Sequence, residues 1–239
     1  MNEQEVVVEA FTELASRYEK VVDSELNRFW GWSYARFVDR LIESTPFFDG
    51  DLILDVATGT AVIPRRLVEA VRKNFHVIGL DITAAMLRRG KEKIEKAAAG
   101  GDISLSCGDA MVMPFGPGSF HLVMCGLATH HMNVPAMLSE MHRVLRPGGR
   151  LAMADAGGTP LWKNPVLKAA IRVAAFVYFL VVENASRAWA EAAAVSNVRS
   201  SAEWQVDLAR AGFVDIRIVK LPSRRSWIPD PLVMEAIKP

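Results

Sequence analysis

A chain of 239 residues has room for one large α/β domain, or for one domain with an added cap. Its 28 basic and 27 acidic side chains leave a formal charge of +1, with no basic cluster beyond Arg224-Arg225, so there is no electrostatic case for nucleic acid. The start of the chain lacks an apolar signal core, and the longest uncharged apolar run is Val173–Val182, so a soluble cytoplasmic protein is expected, with Cys107 and Cys125 as buried thiols.

Val7, Ala10, Phe11, Leu14, Ala15 and Tyr18 recur at helical spacing and predict a helix over 3–22. A second helix is expected over 24–44, carrying Leu26, Phe29, Trp30, Phe37, Val38, Leu41 and Ile42, and ended by Pro46. These helices, within residues 1–48, are expected to form a lid over the domain at 49–239. Leu52–Val56 predicts a short buried strand that breaks into the small-residue turn Ala57-Thr58-Gly59-Thr60. A helix pattern follows, with Pro64 in its first turn, where a missing N–H costs nothing.

From there strands and helices alternate. Phe75–Leu80 predicts a second strand ending at Asp81; Thr83 caps a helix bearing Met86, Leu87 and Ile94, stopped by Gly100-Gly101. Asp102–Cys107 is a third strand, followed by Gly108-Asp109-Ala110. Phe120–Cys125 is a fourth, with Gly126 opening its loop, and Asn133 and Pro135 start the next helix. Pro147-Gly148-Gly149 turns into a fifth strand, Arg150–Asp155. A helical cap is expected over about 160–198, where Asn164-Pro165 starts a nearly all-apolar helix. Lys168, Arg172, Glu183, Arg187 and Glu191 share one side of it if it is continuous. Ser200-x-x-Glu203 forms a capping box, Gly212 stops that helix, and Phe213–Val219 and Leu232–Ile237 are the last strands. Such alternation predicts parallel βαβ units with ligands at the strands' C-terminal ends.

Carboxylates fall at three consecutive strand ends. Asp81 suits the two hydroxyls of a ribose, and Asp109, one strand further out, suits an adenine amino group. A dinucleotide would want a glycine-rich turn for its pyrophosphate, but here Ala57-x-Gly59-x-Ala61 offers one glycine, which disfavours a nicotinamide-dependent reductase. S-adenosylmethionine carries no phosphate and needs an acid near its amino group, where Asp55 is placed.

With these residues in view, the chain resembles the class I S-adenosylmethionine-dependent methyltransferases over roughly residues 50–156. The motifs are Leu54-Asp55-Val56-Ala57-Thr58-Gly59-Thr60, Gly79-Leu80-Asp81-Ile82, Gly108-Asp109-Ala110, and Arg143-Val144-Leu145-Arg146-Pro147-Gly148-Gly149-Arg150-Leu151. The wording of the first looks most like the menaquinone and ubiquinone C-methyltransferases, although Ala61 and Asp155-Ala156-Gly157 depart from their pattern. The resemblance implies a Rossmann-like, doubly wound, seven-stranded sheet with the last strand antiparallel. It implies that Asp55, Ala57, Thr58, Gly59 and Thr60 hold the methionine part. Asp81, Ile82 and Met86 would hold ribose and adenine, and Asp109, Ala110 and Met111 the adenine edge. Gly126 and Leu127 would flank the sulfonium, and Tyr18 would close over the cofactor. S-adenosylhomocysteine is then the product, and no metal is called for.

His130 and His131, just after the fourth strand, are candidate bases for an acceptor that must lose a proton; the alternative is that they cap the loop. Asp155 is either a substrate ligand or a solvated strand end. The Val173–Val182 stretch, with Trp30, Trp32, Trp162 and Trp189 nearby, reads as a cap over a lipophilic substrate or as plain packing. A homodimer interface and a transient membrane-surface contact also stay open. The expected activity is methyl transfer to a small, apolar, aromatic or quinol-type acceptor; the alternative is a protein that binds S-adenosylmethionine without methylating.

Overall fold

The computed structural model describes residues 3–97, 102–159, 162, 164–224 and 228–239; Gly100-Gly101 lie outside the described residues. The strands are β1 (Asp51–Val56), β2 (Phe75–Asp81), β3 (Ile103–Cys107), β4 (Phe120–Gly126), β5 (Leu145–Asp155), β6 (Val214–Lys220) and β7 (Leu232–Ile237). They form one seven-stranded sheet in the order β3-β2-β1-β4-β5-β7-β6. β7 runs antiparallel to both neighbours and the other pairs are parallel, as expected. The order reverses between β1 and β4, and open α/β sheets bind their ligands at such a switch point.

Successive residues of a strand face opposite sides, so a sheet covered on both faces must be apolar at every position. Ile53 packs with Phe37, Leu41, Leu67 and Leu122 on one face, which α3 (Tyr34–Ser44) and α4 (Val62–Ala70) cover. Leu54 and Val56 pack with Leu138, Met141 and Trp204 on the other, under α6 (Val134–Val144) and α9 (Ser201–Arg210). The capping box forms as predicted, with Ser200 and Glu203 satisfying each other's backbone N–H groups. α5 (Ala84–Lys96) lies along β2 and β3.

Four local expectations are corrected. The N-terminal region holds three helices instead of two: α1 (Glu3–Leu14), α2 (Tyr18–Trp30) and α3. Gly31, at φ 77°, takes the left-handed turn that closes α2, and its N–H donates to the carbonyls of Leu26 and Asn27. Ser33 then caps α3. The cap is also broken, into α7 (Pro165–Val182) and α8 (Ala185–Ala194), because Asn184 caps a new helix by accepting from the Arg187 N–H. Lys168 and Arg172 therefore do not share a side with Arg187 and Glu191. Cys107 is exposed at the sheet edge, whereas Cys125 is buried. Finally, the apolar stretch is longer than its uncharged part: α7 as a whole is long and apolar enough, by length and composition, to cross a membrane.

Candidate active site

The turn after β1 is tight and strained. Ala57 and Ala61 both adopt left-handed φ, at 55° and 59°, as does Leu127 after β4 at 56°. Such residues persist only where their surroundings hold them, and they concentrate at ligand sites. Gly79 on β2 allows this turn to settle, since a Cβ there would stand 2.7 Å from the Thr58 hydroxyl. The Asp81 carboxylate ties the turn to β2: one oxygen accepts from Gly59 N–H and the other from Thr83 N–H, each at 2.8 Å. Burial raises the Asp81 pKa, and these two donors oppose the rise.

Asp55 is 1% exposed, and neither of its carboxylate oxygens has a hydrogen-bond partner. Burial pushes it up to about 7, and the Asp81 charge adds to the rise. A buried carboxylate without partners is costly unless a cation or donor arrives. This fits a ligand that brings an ammonium group to the switch point. A cavity of about 280 Å³ opens beside the turn, lined by Ala57, Asp81, Ile82, Asp109, Ala110 and Met111 of the expected set. Asp109 is oriented by Met111 N–H on one oxygen and by the Gln4 side-chain amide, from α1, on the other, both at 2.8 Å.

The remaining expected residues lie deeper or elsewhere. Thr58 is buried, and the Thr60 hydroxyl donates to Glu19 at 2.6 Å, which anchors α2 to the turn. Tyr18 lies over Gly59, with its ring 3.7 Å from where a Cβ there would stand, and burial pushes its phenol up to about 12. Met86 sits in the buried face of α5, and Gly126 ends β4 against Ile63. The Ala61 methyl is fully buried beside Ile94 and Ile103, on the α5 side of the turn.

A second cavity, of about 270 Å³, lies beyond Leu127. Phe11, Tyr18, Trp30, Trp162, Ile171 and Phe179 make most of its wall apolar. His131 lines both cavities. His130 lines the second, and its Nδ1 is 2.7 Å from Asp155 Oδ1. Asp155 is a fully buried strand end: its other oxygen accepts from the backbone N–H and the hydroxyl of Thr129. Burial alone would lower the His130 pKa, but the Asp155 charge raises it; in return His130 holds Asp155 below the usual carboxylate range. His131 goes the other way, lowered by burial and by the adjacent His130.

Residues not foreseen complete this wall. Arg187, 5% exposed, lies 2.9 Å from Glu191 and 3.3 Å from Glu25 through Nη2. Its guanidinium stacks over Phe11 and Phe179, at 5.2 and 5.4 Å. The i,i+4 pair Arg187 and Glu191 in an apolar segment was the available signal. Gln4 carried none, because its role depends on where α1 docks.

Residues 53–149 match the family model described as "Methyltransferase domain". The chain is 33% identical to the demethylmenaquinone methyltransferase of Symbiobacterium thermophilum over 154 residues, 64% of this chain and 60% of that one. It is 40% identical to the demethylmenaquinone methyltransferase of Listeria welshimeri over 120 residues, 48% of this chain and 50% of that one. It therefore spans only half to three-fifths of these relatives' length. Among solved structures it shares its fold with geranyl diphosphate C-methyltransferase of Streptomyces coelicolor, at TM-score 0.67 and 17% identity, covering 93% of this chain and 84% of that one. The carboxylates at three strand ends and the unpartnered Asp55 thus lie within a segment, residues 53–149, that is similar to a methyltransferase domain.

Proposed function

We propose that the chain transfers a methyl group from S-adenosylmethionine to a small, apolar acceptor of aromatic or quinol type. The observation that carries this reading is the second cavity. It is walled mainly by aromatic and aliphatic side chains, holds a His–Asp pair, and meets the acid-lined cavity at His131. The relatives named demethylmenaquinone methyltransferase support a quinol-type acceptor.

In this reading Asp55 holds the ammonium group, Asp81 the ribose, and Ile82, Asp109, Ala110 and Met111 the adenine. The cofactor supplies a methyl group made electrophilic by the adjacent sulfonium charge. His130 takes the proton from the acceptor's hydroxyl. Asp155 occupies Nδ1, which leaves Nε2 as the accepting atom and stabilises the imidazolium that forms. His131, held neutral, closes the wall between the cavities. Phe11, Trp30 and Phe179 keep water from the transfer path.

α7 extends the reading to the acceptor's source. Ile171, Ala175 and Phe179 line the cavity from its inner face. Its outer face exposes Val166, Val173, Val177 and Val181, the last at 81%. A helix apolar on both sides, with Lys168 and Arg172 as its only charges, suits a transient rest on an anionic bilayer from which a lipophilic acceptor is drawn.

The test is incubation of the purified protein with methyl-labelled S-adenosylmethionine and a panel of reduced quinols, alkylphenols, amines and lipid extracts. Label in the quinol or phenol products is the expected result. Label in none of them, with cofactor binding intact, would assign a binding protein and overturn the reading.

A further inference from the structure

We propose that Arg187 is a recognition residue for a second, uncharged oxygen on the acceptor, so that the site selects aromatic molecules carrying two oxygens. This rests on the reading of the second cavity as the acceptor site.

Arg187 lies in the wall of that cavity, on α8, in the same lining as His130. Of its three guanidinium nitrogens, Nη2 faces both Glu191 and Glu25. Nε and Nη1 are buried and have no hydrogen-bond partner. An unsatisfied buried donor costs about 1–3 kcal/mol, and more when charged. The protein keeps two of them beside a cavity whose wall is mostly apolar but also holds Glu25, Glu191, His130 and His131. Phe11 and Phe179 clamp the guanidinium through their ring faces, so it does not swing out to water. A ligand oxygen is the partner that this arrangement lacks.

Charge balance identifies the kind of oxygen. Burial would raise Glu191, but Arg187 and His131 hold it well below the usual carboxylate range, so it is ionised and already balances the guanidinium. Glu183 is paired with Arg17 at 2.7 Å. Glu25 is pushed up to about 7 by burial, against the pull of Arg187 and with the charges of Glu191 and Glu183 adding to the rise, so a further anion here would meet carboxylates already present. A carboxylate or phosphate on the ligand would meet Glu191. A carbonyl or hydroxyl oxygen accepts from Nε or Nη1 at no such cost. With His130 taking the proton of one hydroxyl, the acceptor is then a ring with one ionisable hydroxyl and a second neutral oxygen.

The test compares two ligands of the same carbon skeleton, an alkylphenol and the corresponding hydroxyaryl ketone, by calorimetric titration of the full chain saturated with S-adenosylhomocysteine. Wild type is expected to bind the ketone about tenfold to a hundredfold more tightly, the range for a hydrogen bond to a charged donor. Arg187→Lys keeps a cation opposite Glu191 but removes the guanidinium fork. It should reduce the preference to less than about threefold while leaving alkylphenol and S-adenosylhomocysteine affinities within about twofold. Equal binding of both phenols by wild type overturns the proposal without any variant. So does a preference that survives in Arg187→Lys, or an equal loss of both ligands in that variant, which would mark Arg187 as structural. If neither phenol binds the loaded protein, the acceptor reading itself fails and this subsite falls with it.

Discussion

Replacing Asp55 by asparagine tests the charge logic of the cofactor side. Burial lifts Asp55 from 3.8 to about 7 in the folded protein. A carboxyl raised on folding leaves stability untouched below its unfolded value; stability then falls as pH rises towards the folded value and levels off beyond it. That rise in pKa costs about 4 kcal/mol at about pH 8, but only about 2 kcal/mol at about pH 5. An asparagine at this position would carry no charge. It would still be an unpartnered polar group, costing about 1–3 kcal/mol, but that cost does not change with pH. The stability of Asp55→Asn relative to wild type should therefore improve by about 2–3 kcal/mol between about pH 5 and pH 8. Urea unfolding of the ligand-free protein at the two pH values reads this difference directly, and any effect common to both proteins cancels. Adding S-adenosylhomocysteine should shift the balance back towards wild type, because the ligand's ammonium compensates a charge that asparagine lacks. If the relative stability is the same at both pH values, Asp55 is not held in a strained, ionisable state, and the argument for a cationic ligand at that point fails.

Asp81→Ala leaves the N–H groups of Gly59 and Thr83 unpaired and removes the ribose acceptor of the proposed reading. S-adenosylhomocysteine affinity measured by calorimetry should drop by about 1–3 kcal/mol, and unchanged affinity would remove Asp81 from the ribose role. His130 must be neutral to act as a base, and Asp155 raises its pKa. The log of kcat/KM should therefore climb with pH through a value above the ordinary histidine pKa of about 6.5, and His130→Gln should lose about 10²- to 10⁴-fold in rate. Asp155→Asn should move that climb to lower pH, and a profile that stays in place would exclude His130 as the titrating base. Val177→Asp combined with Val181→Asp should abolish co-sedimentation with anionic phospholipid vesicles without altering S-adenosylhomocysteine binding. Equal sedimentation of wild type and variant would reject the bilayer contact.

The carboxylate-bearing edge of the sheet was legible from local spacing. Asp55, Asp81 and Asp109 each fall at or just beyond the C-terminal end of a strand, and parallel βαβ units bring strand ends to one edge of the sheet, so their alignment follows from periodicity and turn residues alone. The caps at Ser200, Asn133 and Asn164 were readable for the same reason, since a cap bonds within its own first turn. The helix breaks at Gly31 and Asn184 were not, because the apolar pattern runs on past both and the competing cap conformation shows only in the backbone. The acceptor side lay further out of reach. Arg187 meets Glu25 across 162 residues of chain, and Gln4 meets Asp109 across 105. Nothing in either neighbourhood predicts its partner. Those pairings arise when α1, α2 and α8 close over the sheet and bury charged groups that water had satisfied. Spacing along the chain therefore determines which carboxylates reach one edge of the sheet, whereas the packing of distant helices determines what they meet there.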